Sequence, residues 1–209
     1  MQRITARRPP NFALRKAGAH PADMPGNANE EGETAMRLFI AIPVPPDIRR
    51  AAADTAIRLK KRGAQGRFVP EANYHITLHF IGESDALLDA ADAIHEAARD
   101  AKPFLLRLTD YGAFPSGSGS TGYLGISDET GELRRLYETL EDALWDRGFM
   151  KNRARLTPHI TLGRNIRGDE GFTCPRREAF TANSIVLFES RSERGGMRYE
   201  PVHRERIES

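Results

Sequence analysis

The chain has 209 residues, with 31 Lys or Arg against 29 Asp or Glu and a formal net charge of +2. Proteins that grip long nucleic acid by neutralising phosphates carry a clear basic excess, so this balance excludes an extended nucleic-acid track and leaves a small or locally held anion as partner. At 39% hydrophobic and 29% charged the composition is that of a globular chain. No run reaches the roughly 20 apolar residues that cross a bilayer, so no membrane is expected. The single Cys174 cannot form an internal disulfide, which fits a cytoplasmic setting.

Residues 1–35 contain Pro9, Pro10, Pro21 and Pro25, show no apolar period and end in a polar stretch. They read as a disordered leader, with Met36 a candidate biological start and residues 36–209 as the folded domain. Arg37–Ile42 is a short apolar run closed by Pro43, Pro45 and Pro46, which predicts a buried strand. Asp47 follows as the expected cap of a helix over Ile48–Arg62, stopped by Gly63. A strand over Tyr74–Ile81, a helix from Ser84 or Asp85 to Asp100, and a strand over Phe104–Leu108 come next. The Gly/Ser segment Pro115–Gly122 lacks the Lys-Ser/Thr of a phosphate-binding loop and joins two strand-like runs, so it reads as a flexible hairpin loop into a strand over Tyr123–Ile126. Leu133, Leu136, Tyr137, Leu140 and Leu144 lie at helical spacing and predict a helix over Leu133–Arg147 ended by Gly148. Residues 159–163, 180–188 and 197–203 read as strands.

His-Ile-Thr-Leu occurs twice, at His75–Leu78 and His159–Leu162. Chance supplies roughly a third of one His-x-Thr at this composition, so an identical pair points to an internal repeat. Strand alternation puts His and Thr of each copy on one face, with Ile and Leu on the other, toward a core. Two such strands side by side would hold two imidazoles and two hydroxyls. Imidazoles of ordinary pKa near 6.5 can act as a general base and a general acid, and Thr hydroxyls donate to anionic oxygens. That set suits in-line attack at phosphorus. A zinc site of His75, His79 and His159 is the rival reading, with His79 taken to share the face of His75. Its weakness is distance, since i and i+4 lie roughly 13 Å apart along a strand. His95 and His203 read as surface residues, and His20 belongs to the leader.

Flanking residues extend the pattern into a family resemblance. Arg37–Pro43, Asn73–Glu83, Gly112–Ser116, Pro158–Arg164 and Leu187–Ser190 followed by Tyr199 resemble, in order, the successive segments of the 2H phosphoesterase superfamily, in its RNA 2′,3′-cyclic phosphodiesterase (2′-5′ RNA ligase-like) branch. The resemblance covers Met36 to about Val202, with His79 and Phe68 departing from residues common in that family. It implies an α+β fold of two pseudo-symmetric lobes, each an antiparallel sheet with helices outside, facing a central cleft with one His-x-Thr per lobe. It further implies hydrolysis of an RNA terminal 2′,3′-cyclic phosphate to a 2′-phosphate without metal or cofactor. His75 would be the proton donor, His159 the proton acceptor, and Thr77 and Thr161 the phosphate ligands. The expected partner is an RNA 3′ end bearing the cyclic phosphate, met by a monomer. Other readings are 2′-5′ ligation, another cyclic-nucleotide phosphodiesterase activity, or a non-catalytic RNA-end binder.

Two further residues are candidates for substrate binding. Arg164 could bring a guanidinium to the phosphate or ribose, or be a solvated strand end; Phe39 could stack on a base, or belong to the core. Charge divides along the chain: residues 36–146 have 13 basic and 17 acidic side chains, residues 147–209 have 13 and 8. RNA is therefore expected to approach from a basic C-terminal lobe.

Overall fold

The computed structural model describes residues 35–117, 119–152, 154–194 and 196–208, so the leader expected over residues 1–35 lies outside them but for Ala35. The first apolar run forms β1 (Met36–Pro43), followed by α1 (Pro46–Lys61), β2 (Gln65–Phe68), a single 3₁₀ turn (Glu71–Asn73) and β3 (His75–Ser84). Then come α2 (Leu87–Arg99), β4 (Phe104–Ser116), β5 (Gly119–Ser127), α3 (Glu132–Asp146) and β6 (His159–Arg167). The chain closes with β7 (Ala179–Ala182), β8 (Ser184–Glu193) and β9 (Gly196–Arg206).

Local chemistry explains the boundaries. α1 is capped by Pro45, with Pro46 at its first position, so the expected cap Asp47 instead lies in the first turn, where its carboxylate meets the positive end of the helix. Arg58, Lys60 and Lys61 sit in the last turn, and Gly63 leaves with a φ of 95° that only glycine adopts without strain. Ahead of α3 the Asp128 carboxylate accepts hydrogen bonds from the backbone N–H of Thr130, Gly131 and Leu133, satisfying donors at the helix start. α2 starts later than expected because Ser84 ends β3 and its hydroxyl accepts from the Ala86 N–H. The segment Pro115–Gly122 is mostly strand, with β4 and β5 paired out to Ser116 and Gly119. The single strand expected over 180–188 is two, because β7 pairs with β4 and β8 with β1, and the chain changes neighbour at Asn183.

All described strands join one antiparallel sheet in the order β7-β4-β5-β6-β3-β1-β8-β9, with β2 also paired to β6. The order is symmetric about the β6–β3 seam: β3-β1-β8-β9 on one side mirrors β6-β5-β4-β7 on the other. The seam itself is thin, with Ile76↔Ile160 its one register pair among the described residues. One half, β4 to β7, is a continuous stretch of chain, whereas the other joins β1 and β3 to β8 and β9 from the far end, with β8 pairing with β1. The expected division into an acidic first lobe and a basic second lobe therefore fails. The basic C-terminal stretch is shared out, β6 on one side of the seam and β8 and β9 on the other.

One face of the sheet packs on the helices. Ile40, Ile42, Ile76, Leu78, Leu124, Ile160, Leu162 and Leu187 are fully or nearly fully buried there with Ile48, Leu59, Ile94, Leu136 and Leu140 of the helices. Each such side chain is worth about 1.5–3 kcal/mol in transfer free energy. Burying Ile76 and Ile160 against this core turns the alternate residues of β3 and β6 to the opposite, open face.

Candidate active site

The open face receives His75 and Thr77 from β3 and His159 and Thr161 from β6. Continuing the antiparallel register by one residue from Ile76↔Ile160 sets His75 across from Thr161 and Thr77 across from His159. The repeat thus brings both imidazoles and both hydroxyls to one face on adjacent strands.

Both imidazoles are fixed by the same device. His75 Nδ1 lies 2.7 Å from the Asn73 carbonyl oxygen, and His159 Nδ1 2.7 Å from that of Thr157. A carbonyl only accepts, so Nδ1 carries the proton in each ring and Nε2 is left to face the cleft. At His75 that Nε2 sits 3.0 Å from Thr77 Oγ1, which donates to it while the ring is neutral.

Aromatic rings back each histidine in a matching way. Phe39 lies 4.9 Å from the His75 ring and stacks on Phe188 at 5.2 Å, while Tyr199 stands edge-on to both Phe39 and His75. On the other side Phe114 stacks on Tyr123 at 4.3 Å, and their centroids lie 5.3 and 5.2 Å from His159. Phe39 is 3% exposed; it is the floor beneath His75 and has no open face for a base, which corrects its reading as a stacking residue. The wall of Phe114 and Tyr123 is not signalled by the motifs, although Phe114 stands in the family-like Gly112–Ser116 stretch.

Burial lowers the pKa of His75 to about 4, against the hydrogen bond to Asn73 that favours its charged form, and the charges of His159 and Arg164 push the same way as burial. Burial likewise lowers that of His159, against its bond to Thr157 and helped by Arg164. Both rings are therefore neutral in the free site at pH 7, and a bound anion is needed to charge one. Burial also raises the Tyr199 hydroxyl, with Arg164 and Arg37 pulling it back, so those two guanidinium groups flank the His75 side of the cleft.

A bulge in each motif strand decides what else reaches the cleft. In β3 the partners Ala41↔Thr77 and Ile40↔His79 leave Leu78 as an extra residue, and in β6 Tyr123↔Thr161 and Gly122↔Gly163 leave Leu162 extra. Strict alternation stops there. His79, expected on the face of His75, instead turns inward, 2% exposed, and bonds Glu141 of α3 at 2.5 Å. The three-His zinc set is thereby broken up. Among the described residues no group of three or more His, Cys, Asp or Glu is arranged to hold a metal ion, and no helix is long and apolar enough to cross a membrane. The residues five beyond each histidine, Phe80 and Arg164, come out beside the site: Phe80 is 44% exposed and 6.1 Å from Phe39, and the charge of Arg164 acts on both imidazoles. Period-2 counting hides Phe80 by sending it to the core. His95 is exposed as expected, while His203 is half-buried beside Glu205.

A family model described as the 2′-5′ RNA ligase superfamily matches residues 44–180. A Thermotoga maritima protein named RNA 2′,3′-cyclic phosphodiesterase is 34% identical over 132 residues, covering 62% of this chain and 70% of its own length. The protein of the same name from Escherichia coli is 30% identical over 173 residues, covering 81% and 95%. Among solved structures, TT0787 of Thermus thermophilus superposes with a TM-score of 0.72 at 26% identity over 82% of this chain and 98% of its own. The apo form of E. coli LigT gives 0.70 at 26% over 85% and 100%. Sheet order, paired motifs and these likenesses converge: the chain belongs to the 2′-5′ RNA ligase superfamily, within the 2H phosphoesterases.

Proposed function

We propose that the protein hydrolyses 2′,3′-cyclic phosphates at RNA 3′ ends, leaving a 2′-phosphate. The observation that carries this reading is the facing pair of His-x-Thr motifs, each imidazole locked at Nδ1 by a backbone carbonyl with Nε2 toward the cleft. The names of the relatives agree with it.

The cyclic phosphate binds with its non-bridging oxygens on the Thr77 and Thr161 hydroxyls, and Thr77 releases His75 Nε2 as it turns to the phosphate. The anion charges His75. Water attacks phosphorus in line with the 3′ oxygen; His159 Nε2 takes the proton from water as the new P–O bond forms. The P–O3′ bond breaks, and His75 Nε2–H gives its proton to O3′. The product carries a 2′-phosphate and a free 3′ hydroxyl, and proton exchange with solvent restores both rings. With its pKa lifted toward neutrality by the bound anion, protonated His75 is suited to give its proton to the leaving oxygen. Arg164 offsets charge on the phosphate, and Phe80 offers its ring to the terminal base in place of Phe39.

The test is an oligonucleotide with a 2′,3′-cyclic phosphate, incubated in EDTA, with the product identified as 2′- or 3′-phosphate. Ring opening to the 2′-phosphate is expected. Absence of turnover, turnover only on adding metal, or a 3′-phosphate product would overturn the reading.

A further inference from the structure

The two halves of the site differ in one respect that their symmetry exposes. Beyond the seam, β6 is braced by β2: Phe68 pairs with Gly163, and the Val69 N–H donates to the carbonyl of the bulge residue Leu162 at 2.9 Å. The fit is close, since a Cβ on Gly163 would come within 3.1 Å of the Arg67 carbonyl oxygen and 2.7 Å of Ile166. The corresponding stretch before β6, residues 149–158, contains no strand among its described residues. In its place stands a side-chain network. Asn152 Nδ2 donates to the carbonyl of Leu78, the bulge residue of β3, at 3.2 Å. The same amide donates to Glu141 Oε1 at 3.0 Å, and the Asn152 N–H to Glu141 Oε2 at 2.9 Å. His79, which occupies the place of Gly163, donates from Nδ1 to Glu141 Oε1. Glu141 is 6% exposed, and although burial raises its pKa, the bonds from His79 and Asn152 outweigh that and hold it ionised.

We propose that Asn152, held by Glu141 and His79, is a positioning clamp for catalysis: its amide replaces the missing strand, fixes the Leu78 bulge, and so sets His75 and Thr77 against His159 across a seam with a single register pair. The clamp also ties β3 to the segment that leads through Thr157, the carbonyl partner of His159, into β6. A misplacement of about 1 Å costs on the order of 100-fold in rate, so a tie of this kind acts on turnover before it acts on binding.

The inference rests on the proposed activity, and its test separates the two. Asn152→Leu keeps the backbone N–H and much of the volume but removes the amide donations to Leu78 and Glu141, with the longer one to the Tyr137 hydroxyl. With 2′,3′-cyclic AMP, at a temperature where circular dichroism shows the variant folded, kcat is expected to fall ~10-fold or more with KM within about twofold. Placed in a His75→Ala protein, the same substitution is expected to add a clearly smaller loss in single-turnover rate, because only the placement of Thr77 is left for it to disturb. An unchanged kcat, or the same loss in both backgrounds, would overturn the clamp. Should the parent protein not open the ring at all, the activity fails and the clamp is judged by imidazole NMR of His75: altered resonances in Asn152→Leu support it, and an unchanged spectrum overturns it.

Discussion

The proposed general acid, His75, has a pKa near 4 and is almost wholly unprotonated at pH 7, with about one in a thousand charged in the free site. In the proposed mechanism the substrate's own charge arms it. A phosphate oxygen that takes over the Thr77 hydroxyl, now 3.0 Å from His75 Nε2, brings a negative charge within about 4 Å of the ring. One unit charge at that distance and an effective dielectric of 20 is worth about 4 kcal/mol, which is about 3 pKa units. That raises His75 from about 4 to about 7, so binding an anion near neutrality takes up part of a proton. Sulfate is a clean probe, because it stays doubly charged throughout the range. ¹³C or ¹⁵N imidazole resonances of His75, followed from pH 3.5 to 9 without and with saturating sulfate, should show a midpoint near 4 moving up by about 3 units or more, since sulfate carries two charges. Calorimetry in buffers of different ionisation enthalpy should register the matching proton uptake. A free-state midpoint near the ordinary 6.5, or one that sulfate leaves in place, would refute the reasoning. In the rate profile the same logic makes kcat/KM fall with rising pH from a lower pH than kcat does, since the first reports the free enzyme and the second the complex.

His75→Ala and His159→Ala should each lower kcat about 100-fold or more while phosphate binding persists, measured by single turnover and sulfate titration; full activity in either variant would show that the pair is structural. Gly112 and Gly122 form a matched control: a Cβ at Gly112 would lie 2.5 Å from the Tyr123 ring beside His159, and one at Gly122 2.5 Å from the Tyr111 hydroxyl. Gly112→Ala should depress kcat at least several-fold by displacing the wall of His159, whereas Gly122→Ala should cost stability, by about 1–3 kcal/mol in denaturant melts, with kcat of the folded protein little changed. Arg37 shares the open face of β1 with Phe39 and acts on Tyr199, with no ion-pair partner among the described residues. Arg37→Ala should raise KM about fivefold for a cyclic-phosphate oligonucleotide, the equivalent of ~1 kcal/mol, and leave 2′,3′-cyclic AMP unaffected.

The sequence carried the features that follow from local rules. Pro46, Gly63 and Gly148 mark helix ends, Leu133 to Leu144 mark one buried helical stripe, and His-Ile-Thr-Leu declares its two faces by alternation. What escaped was set by contacts distant in the chain. The bulges at Leu78 and Leu162 have no residue signature, yet they move His79 inward and bring Phe80 and Arg164 out. The break at Asn183 arises because β7 and β8 answer to different neighbours. β2 is short, polar and exposed, so neither periodicity nor burial announces it. Phe39 has the composition of a core residue on a face that is not the core, and only the rings of Phe188, Tyr199 and His75 around it give its place.

The crossing of β8 and β9 to join β1 has a consequence for the order in which the enzyme comes into being. Ala41 finds its outer partner in Val186 and Phe39 in Phe188, so the strand next to His75 keeps an open edge while most of the chain is being synthesised. The half that holds His75 cannot be completed until β8 and β9 have been made. A nascent or truncated chain that already displays His75 and Thr77 lacks the Phe188 and Tyr199 that wall them, as well as His159 if cut earlier. The complete site thus arrives late and all at once, and fragments left by premature termination or proteolysis would lack it.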